Sequence, residues 1–137
     1  MSKCVTPTRV RVVETDFMGV VHHASYLGYF ELGRIEWLRK RGISYQAWAW
    51  PGVQLTVVEA KVQYRASARF DDALEVETSF ADLGPASFEL GYRVTRGGQL
   101  LAEGSTRIAC IGGDSKPARL PETLRTALLS AGPPRGA

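Results

Sequence analysis

Between about Ala24 and Arg41 the hydrophobic positions recur with the period of an α-helix. Aromatic and small residues stand at i, i+3, i+4, i+7 and i+11, which places them on one side of a helix. They are Tyr26, Tyr29, Phe30, Gly33 and Trp37, and Leu27, Ile35 and Leu38 occupy a second side. A helix that is apolar over so much of its circumference is predicted to be buried. Gly28 and Gly33 each destabilise a helix by about 1 kcal/mol relative to alanine, so we expect another backbone to pass close to both.

Stretches with a period of two, which is typical of β-strands, account for most of the other hydrophobic positions. A short stretch spans Arg9 to Val13, with Val10 and Val12 on one face. After residue 52 the alternation continues in four runs, at 53–64, 74–80, 87–94 and about 100–111. The first of these runs changes phase at Val57 and Val58, which predicts a β-bulge there.

Glycine and proline mark the ends of the predicted elements. Gly42 is expected to end the long helix, and a short second helix is expected from Ser44 to Pro51. The segments Leu83–Pro85 and Gly97–Gly98 are short enough to form antiparallel hairpins. A weakly amphipathic helix is predicted over 121–129, and a frayed tail from about residue 131.

This order of elements predicts an α+β domain in which one curved antiparallel sheet of about five strands wraps around a long central helix. We interpret residues 1–137 as a single domain of this kind. Five strands cannot cover the helix completely or pair their own edges. Pairing with a second copy of the chain would solve both problems, so we expect a homodimer or homotetramer.

Composition narrows the class of protein. The chain has 137 residues, of which 45% are hydrophobic and 23% charged, with a net charge of +3 and two cysteines. These values exclude disordered proteins and disulfide scaffolds, and they fit one ordinary soluble domain. The cations are interspersed with acids, so no nucleic-acid partner is expected.

The same sequence argues against a membrane protein. Its longest uncharged run, 42–58, is interrupted by Gln46, Pro51 and Gln54, so no membrane span is predicted. The first ten residues include Lys3 and Arg9 and lack the apolar core of a signal peptide. We therefore expect a cytoplasmic location.

The loop before the long helix contains the residues best suited to chemistry. Asp16 precedes Gly19, which can adopt the positive φ that reverses a chain, and both histidines of the sequence follow at His22 and His23. The first N–H groups of the helix are unpaired donors near His23, and they suit the oxyanion that forms when a carbonyl is attacked. Asp16 is thus a candidate nucleophile or general base, and His23 could hold the carbonyl or relay a proton.

Each of these residues also has a structural interpretation. Asp16 could form an Asx turn, and His22 and His23 could be partly buried residues at a helix start. Ser25 is interpreted as a helix cap, and Glu31 as an ion-pair partner of Arg34. No metal site is predicted, because adjacent histidines cannot easily face one ion and no further cluster of ligands accompanies them.

The sequence closely resembles the hotdog-fold thioesterases of the 4-hydroxybenzoyl-CoA thioesterase and YbgC-like acyl-CoA thioesterase family. The resemblance rests on the run from Glu14 through Asp16, Gly19 and His23 to Tyr26, on Tyr29-Phe30-Glu31-x-x-Arg34, and on Tyr64–Leu74. It covers roughly residues 9–111, and the first segment is specific. His22 and Ser25 stand where tyrosine and asparagine are common in that family.

The resemblance implies a hotdog fold and hydrolysis of an acyl-CoA or aroyl-CoA at a site between two protomers, with no cofactor. Asp16 matches the family's catalytic carboxylate, and the backbone N–H near His23 would polarise the thioester carbonyl. The residues expected to contact the substrate are Gly19, Val21, His22, Tyr26, Tyr64, Arg65 and Arg69, with Phe30 and Trp48 as further candidates for the acyl pocket. Two alternatives remain open: an enoyl-CoA hydratase or dehydratase of the same fold, and a non-catalytic acyl-CoA-binding module.

Overall fold

The computed structural model describes residues 3–43 and 53–130. In chain order its elements are strand β1 (Cys4–Arg9), a 3-10 turn (Val12–Glu14), helix α1 (Ser25–Arg39), strands β2 (Val53–Tyr64), β3 (Ala73–Leu83), β4 (Ser87–Arg96) and β5 (Gln99–Gly112), and helix α2 (Glu122–Leu129). The helix expected from Ser44 to Pro51 and the expected frayed tail lie outside these residues.

The five strands form one antiparallel sheet in the order β1-β3-β4-β5-β2, and α1 packs against it. The predicted α+β architecture is therefore confirmed. The register shifts between Val57 and Glu59 in β2, as predicted, and β-bulges of this kind bend a strand. The predicted hairpins join β3 to β4 and β4 to β5, the second through Gly97 and Gly98, which both have positive φ.

The first strand lies elsewhere than the sequence pattern predicts. The expected strand Arg9–Val13 is wrong, because β1 ends at Arg9 and residues 12–14 form a 3-10 turn. Val10 is buried at 2% exposure, whereas Val12 is 67% exposed. The Glu14 carboxylate accepts hydrogen bonds from the backbone N–H and the side chain of Arg11. These bonds stabilise a tight turn where alternation alone indicated an extended chain.

Helix α1 buries the face that its sequence predicts. Tyr26, Tyr29, Phe30 and Trp37 are each at most 2% exposed. A Cβ at Gly33 would lie 2.2 Å from Thr78 Oγ1, so the close approach expected there exists, although the neighbour is a side chain of β3. The same expectation is wrong for Gly28, where a Cβ would meet nothing within 4 Å.

The second apolar side of α1 is only partly covered, since Leu27 is 42% exposed and Leu38 is 2% exposed. Gly42 ends the helical segment with φ +79, as predicted. Helix α2 forms where the weak pattern predicts it and buries Leu124 and Leu128. Neither described helix is long and apolar enough to cross a membrane.

Strand β2 forms one edge of the sheet and leaves its helix-facing side largely open. Val57 pairs with Ile108 and Tyr64 with Ala102, and both β5 partners are fully buried. Residues opposite each other in a sheet share a face, so Val57 and Tyr64 point towards the same side as the core. They are nevertheless 40% and 49% exposed.

Candidate active site

The loop between the 3-10 turn and α1 is a narrow, internally hydrogen-bonded reversal of the chain. Thr15 and Val21 form an isolated antiparallel bridge, and the Asp16 N–H donates to the Val20 carbonyl at 2.9 Å. The Gly19 N–H donates to the Asp16 carbonyl at 3.1 Å, and Gly19 has φ +82. The expectation that Gly19 supplies a positive φ for the turn is therefore confirmed.

The segment that links β2 to β3 supports this loop from one side. The Val21 N–H donates to the Ala68 carbonyl at 2.8 Å, and Val20 forms a bridge with Arg69. A Cβ at Gly19 would lie 3.7 Å from the guanidinium of Arg69. The loop and the linking segment, which are distant in sequence, therefore form one surface.

Glu14 ties the other end of the loop to α1. Its backbone carbonyl accepts from the His22 N–H at 2.9 Å and from the Ser25 hydroxyl at 3.0 Å, and its carboxylate accepts from the Tyr29 hydroxyl at 2.9 Å. Burial alone would raise the pKa of the Glu14 carboxyl, but hydrogen bonds from Arg11 and Tyr29 outweigh it and hold the pKa below its usual value. Burial and Glu14 in turn raise the pKa of Tyr29.

Ser25 does not cap α1. The N-cap position is Ala24, which has no side-chain cap bond, and Ser25 is the first helical residue. Its hydroxyl donates to Glu14 instead of accepting from a helix N–H. The predicted cap is therefore wrong, because the Ser25 hydroxyl is engaged by the Glu14 carbonyl.

The Asp16 carboxylate has one anchored oxygen. Asp16 Oδ1 accepts from the Met18 N–H at 2.8 Å, which is the Asx turn that the sequence allows. Within residues 3–43 and 53–130, neither carboxylate oxygen has another hydrogen-bond donor. The residue is half-buried, and its second carboxylate oxygen remains available to a substrate or a water.

The two histidines lie together on the surface, and the structure assigns them different contacts. Their rings stack with centroids 4.2 Å apart. His22 Nδ1 accepts from the Ala24 N–H at 3.1 Å, while the His23 carbonyl accepts from the Tyr64 hydroxyl at 2.8 Å. Both residues are exposed, so the interpretation of them as partly buried helix-start residues is wrong.

The backbone donors at the start of α1 fall into two groups. The N–H groups of Ala24 and Ser25 already donate, to His22 Nδ1 and to the His22 carbonyl. Those of His23 and Tyr26 have no acceptor in the part of the chain that the structure describes. Unpaired donors at a helix start attract negative charge, so these two amides are the candidates for binding an oxyanion.

A pocket of about 370 Å³ brings most of the predicted site residues together. It is lined by Asp16, Val20, Val21, His23, Tyr26, Tyr64, Arg65, Ala66 and Ser67. Of the predicted substrate contacts, Gly19, His22 and Arg69 are adjacent to this lining without forming part of it. Val20, Ala66 and Ser67 were not predicted, and the position of the last two on the linking segment beside Arg65 was their one sequence signal.

The charged candidates differ in how far they are already engaged. Arg65 makes two hydrogen bonds to Glu103, at 2.9 and 3.1 Å, whereas Arg69 makes no salt bridge with any described residue. The predicted Glu31–Arg34 ion pair is present at 3.9 Å. Phe30 is fully buried and stacks on Tyr92 with centroids 4.4 Å apart, so it belongs to the core. Trp48 lies outside the described residues.

Comparisons with known proteins identify the family of this chain. Residues 10–128 match the model of the Thioesterase-like superfamily. The acyl-CoA thioester hydrolase YbgC of Escherichia coli is 35% identical over 120 residues, which are 86% of this chain and 90% of that protein.

Solved structures with a similar fold include a thioesterase as well. The hypothetical protein TT1821 of Thermus thermophilus is 43% identical with a TM-score of 0.85, over 92% of this chain and 95% of that one. The 1,4-dihydroxy-2-naphthoyl-CoA thioesterase Slr0204 of Synechocystis is 26% identical with a TM-score of 0.84, over the same shares of the two chains. The chain therefore belongs to the thioesterase-like superfamily and is a thioester hydrolase of the hotdog fold.

Proposed function

We propose that this protein hydrolyses an acyl-CoA or aroyl-CoA to the free acid and CoA, with Asp16 as nucleophile or general base. The observation that carries the proposal is the pocket shared by Asp16, His23 and Tyr26 at the start of α1. A carboxylate and two residues whose backbone N–H groups are unpaired among the described residues thus line one space. Thioester hydrolysis needs little beyond these groups, because a thiolate is a good leaving group.

The chemistry can follow either of two routes. As a general base, Asp16 takes a proton from water while the water oxygen attacks the thioester carbonyl. As a nucleophile, its free oxygen attacks directly, and water then hydrolyses the mixed anhydride. In both routes negative charge develops on the carbonyl oxygen, the C–S bond breaks, and the CoA thiolate leaves and gains a proton.

Stabilisation of that negative charge is assigned to the backbone at the start of α1. The N–H groups of His23 and Tyr26 are unpaired among the described residues, and one oxyanion-binding donor typically contributes a factor of roughly 10² to 10³ in rate. The His23 side chain also lines the pocket, where it can hold the carbonyl or relay a proton.

Substrate binding divides between the pocket and the neighbouring surface. Tyr26 and Tyr64 form an aromatic wall, with ring centroids 5.4 Å apart, that suits the acyl group. Arg69 is exposed beside Gly19 and is the better candidate for a CoA phosphate, because the guanidinium of Arg65 is occupied by Glu103.

The proposed enzyme acts in the cytoplasm as a homodimer, or as a homotetramer built from such dimers. The open, helix-facing side of β2 supports this assembly, since it exposes Val57 and Tyr64. Strand β2 is also an edge of the sheet, so its outer hydrogen-bonding groups pair with no other strand of the described residues. Tyr64 also lines the candidate pocket. Pairing through β2 would therefore place the pocket at the boundary between two protomers.

A thiol-release assay tests the activity. The purified protein is incubated with short, long and aromatic acyl-CoA substrates, and free thiol is measured by colour development. We expect release of CoA from at least one class. Hydration of an enoyl-CoA without thiol release would instead identify a hydratase, and tight retention of acyl-CoA with no reaction would identify a binding module.

A further inference from the structure

The peptide bond between His23 and Ala24, at the start of α1, is held at both of its polar ends. The Tyr64 hydroxyl donates to the His23 carbonyl oxygen at 2.8 Å. The Ala24 N–H donates to His22 Nδ1 at 3.1 Å. Two side chains, one on β2 and one on the loop, thus fix the rotation of a single peptide plane.

Tyr64 is well placed to act as a rigid support. It is the last residue of β2 and pairs with Ala102 of β5, so its backbone is held by the sheet. Its ring meets the ring of Tyr26 edge to face, at an interplanar angle of 72°. Because a group on a strand is positioned more precisely than one on a loop, the hydroxyl presents a fixed point to the start of α1.

The preceding peptide is also held, and this determines where the His23 N–H lies. The His22 carbonyl accepts from the Ser25 N–H at 2.9 Å. With hydrogen bonds on both sides of His23, rotation about its backbone is restricted. Its N–H is then a preorganised donor that has no acceptor in ranges 3–43 and 53–130.

We propose that Tyr64 is a positioning residue for the thioester hydrolysis proposed above, and that its hydroxyl keeps the His23 amide aligned with the thioester carbonyl. This inference rests on the proposed function and assigns Tyr64 a role beyond that of an acyl-pocket wall. A misplacement of about 1 Å in a catalytic group can cost 10²-fold in rate, so the loss of this one hydrogen bond affects turnover.

The two roles for Tyr64 predict different kinetics. A group that aligns an oxyanion donor acts in the transition state, and its loss lowers kcat and kcat/KM equally. A group that only forms the wall of the acyl pocket contributes equally to substrate and transition-state binding, and its loss raises KM while kcat stays unchanged.

The decisive variant is Tyr64→Phe, which keeps the ring contact with Tyr26 and removes the hydroxyl. We expect kcat to fall about 10- to 100-fold with KM within about two-fold of the parent value. Tyr92→Phe is the matched control: it removes a hydroxyl that bonds to Thr106 in the core, so it is expected to change the denaturation midpoint without changing kcat.

The other end of the peptide provides a second test that does not depend on Tyr64. His22→Asn keeps a side-chain acceptor for the Ala24 N–H, in the manner of an Asx turn, whereas His22→Leu removes the acceptor. We expect His22→Asn to retain more than half of the parent kcat and His22→Leu to lose about 10-fold.

The outcomes separate this inference from the proposed function. If the parent protein releases no thiol from any acyl-CoA, the proposed function is wrong. If the parent is active but Tyr64→Phe keeps the parent kcat, or changes KM alone, the positioning role is wrong. Equal kcat for His22→Asn and His22→Leu would also contradict it.

Discussion

At the residue scale, the loop between the 3-10 turn and α1 contains the candidate catalytic groups, and its two acidic residues make different contacts. The Asp16 carboxylate uses one oxygen to hold the loop and keeps the other accessible. Glu14 uses its carbonyl and its carboxylate to attach the loop to α1. The acid that serves the structure and the acid that is proposed to react are therefore two residues apart but differ completely in their contacts.

The two arginines near the pocket give the first prediction. Arg69→Ala should raise KM for acyl-CoA about 10-fold with little change in kcat, because charge-assisted hydrogen bonds to phosphate contribute about 1.5–3 kcal/mol. Arg65→Ala should have a smaller effect, since Glu103 already occupies its guanidinium. Steady-state kinetics measure both variants. With an acyl-pantetheine substrate, which lacks the nucleotide, the Arg69 effect should disappear; a larger KM effect for Arg65→Ala would contradict the assignment.

Glu14 gives a prediction on pH and stability. Its pKa is lower in the folded protein than the ordinary value of 4.5, so its charge stabilises the fold above pH 4.5, and this contribution is lost as the pH falls through the lower, folded value. The difference in unfolding free energy between the parent and Glu14→Gln should therefore be constant from pH 7 to about pH 5.5 and shrink below pH 4.5. Urea unfolding at a series of pH values measures it. A difference that grows on acidification would show the opposite sign of coupling.

At the scale of elements, periodicity predicts α1 and β2–β5 well because the hydrophobic residues of each element recur with the period of that element. The bulge in β2 is predicted because the alternation of hydrophobic residues changes phase there, and the pairing register shifts at the same place. The error at β1 has a physical cause. A buried Val10 followed by the exposed Val12 and Val13 imitates alternation, while the Arg11–Glu14 contacts that turn the chain are not visible in the hydropathy pattern.

The sequence predicts those candidate site residues that belong to the loop motif before α1, among them Asp16 and His23. It misses Ala66 and Ser67, because only the fold brings the segment after β2 next to that loop.

Two glycines of α1 give matched predictions on its packing. Gly33→Ala should destabilise the protein by about 1–3 kcal/mol, because its methyl group would overlap Thr78 Oγ1 and the Val76 side chain in a buried region. Gly28→Ala should be neutral or stabilising by up to about 1 kcal/mol, since nothing lies within 4 Å. Chemical denaturation of both variants checks this. Similar destabilisation by the two changes would mean that Gly28 also faces a close neighbour.

At the scale of the whole molecule, the two edge strands of the sheet are not equivalent. Strand β2 is long and leaves apolar residues of its inner side exposed, whereas β1 has six residues and contains Pro7, which weakens an edge as a pairing template. The proposed subunit contact therefore belongs to β2, and the pocket beside Tyr64 would lie next to it.

A pair of valine variants tests this assignment. Val57→Lys on β2 should shift the protein from dimer to monomer and reduce turnover, because it places a charge on the apolar inner side of that edge. Val5→Lys on β1, where the valine is 50% exposed, is the control and should leave the assembly unchanged. Analytical ultracentrifugation measures the mass of each variant. Dissociation by Val5→Lys alone would place the contact on the opposite edge.

The turnover of Asp16→Asn shows most directly whether the Asp16 carboxylate is the catalytic group. Asparagine has the same shape and can still accept the Met18 N–H through its side-chain oxygen, so the loop, the fold and the assembly should persist. Loss of the carboxylate charge should lower kcat for the best acyl-CoA substrate by roughly 10²- to 10⁴-fold, as expected for removal of a general base. A correctly assembled Asp16→Asn variant that releases thiol at the parent rate would show that Asp16 is not the catalytic group.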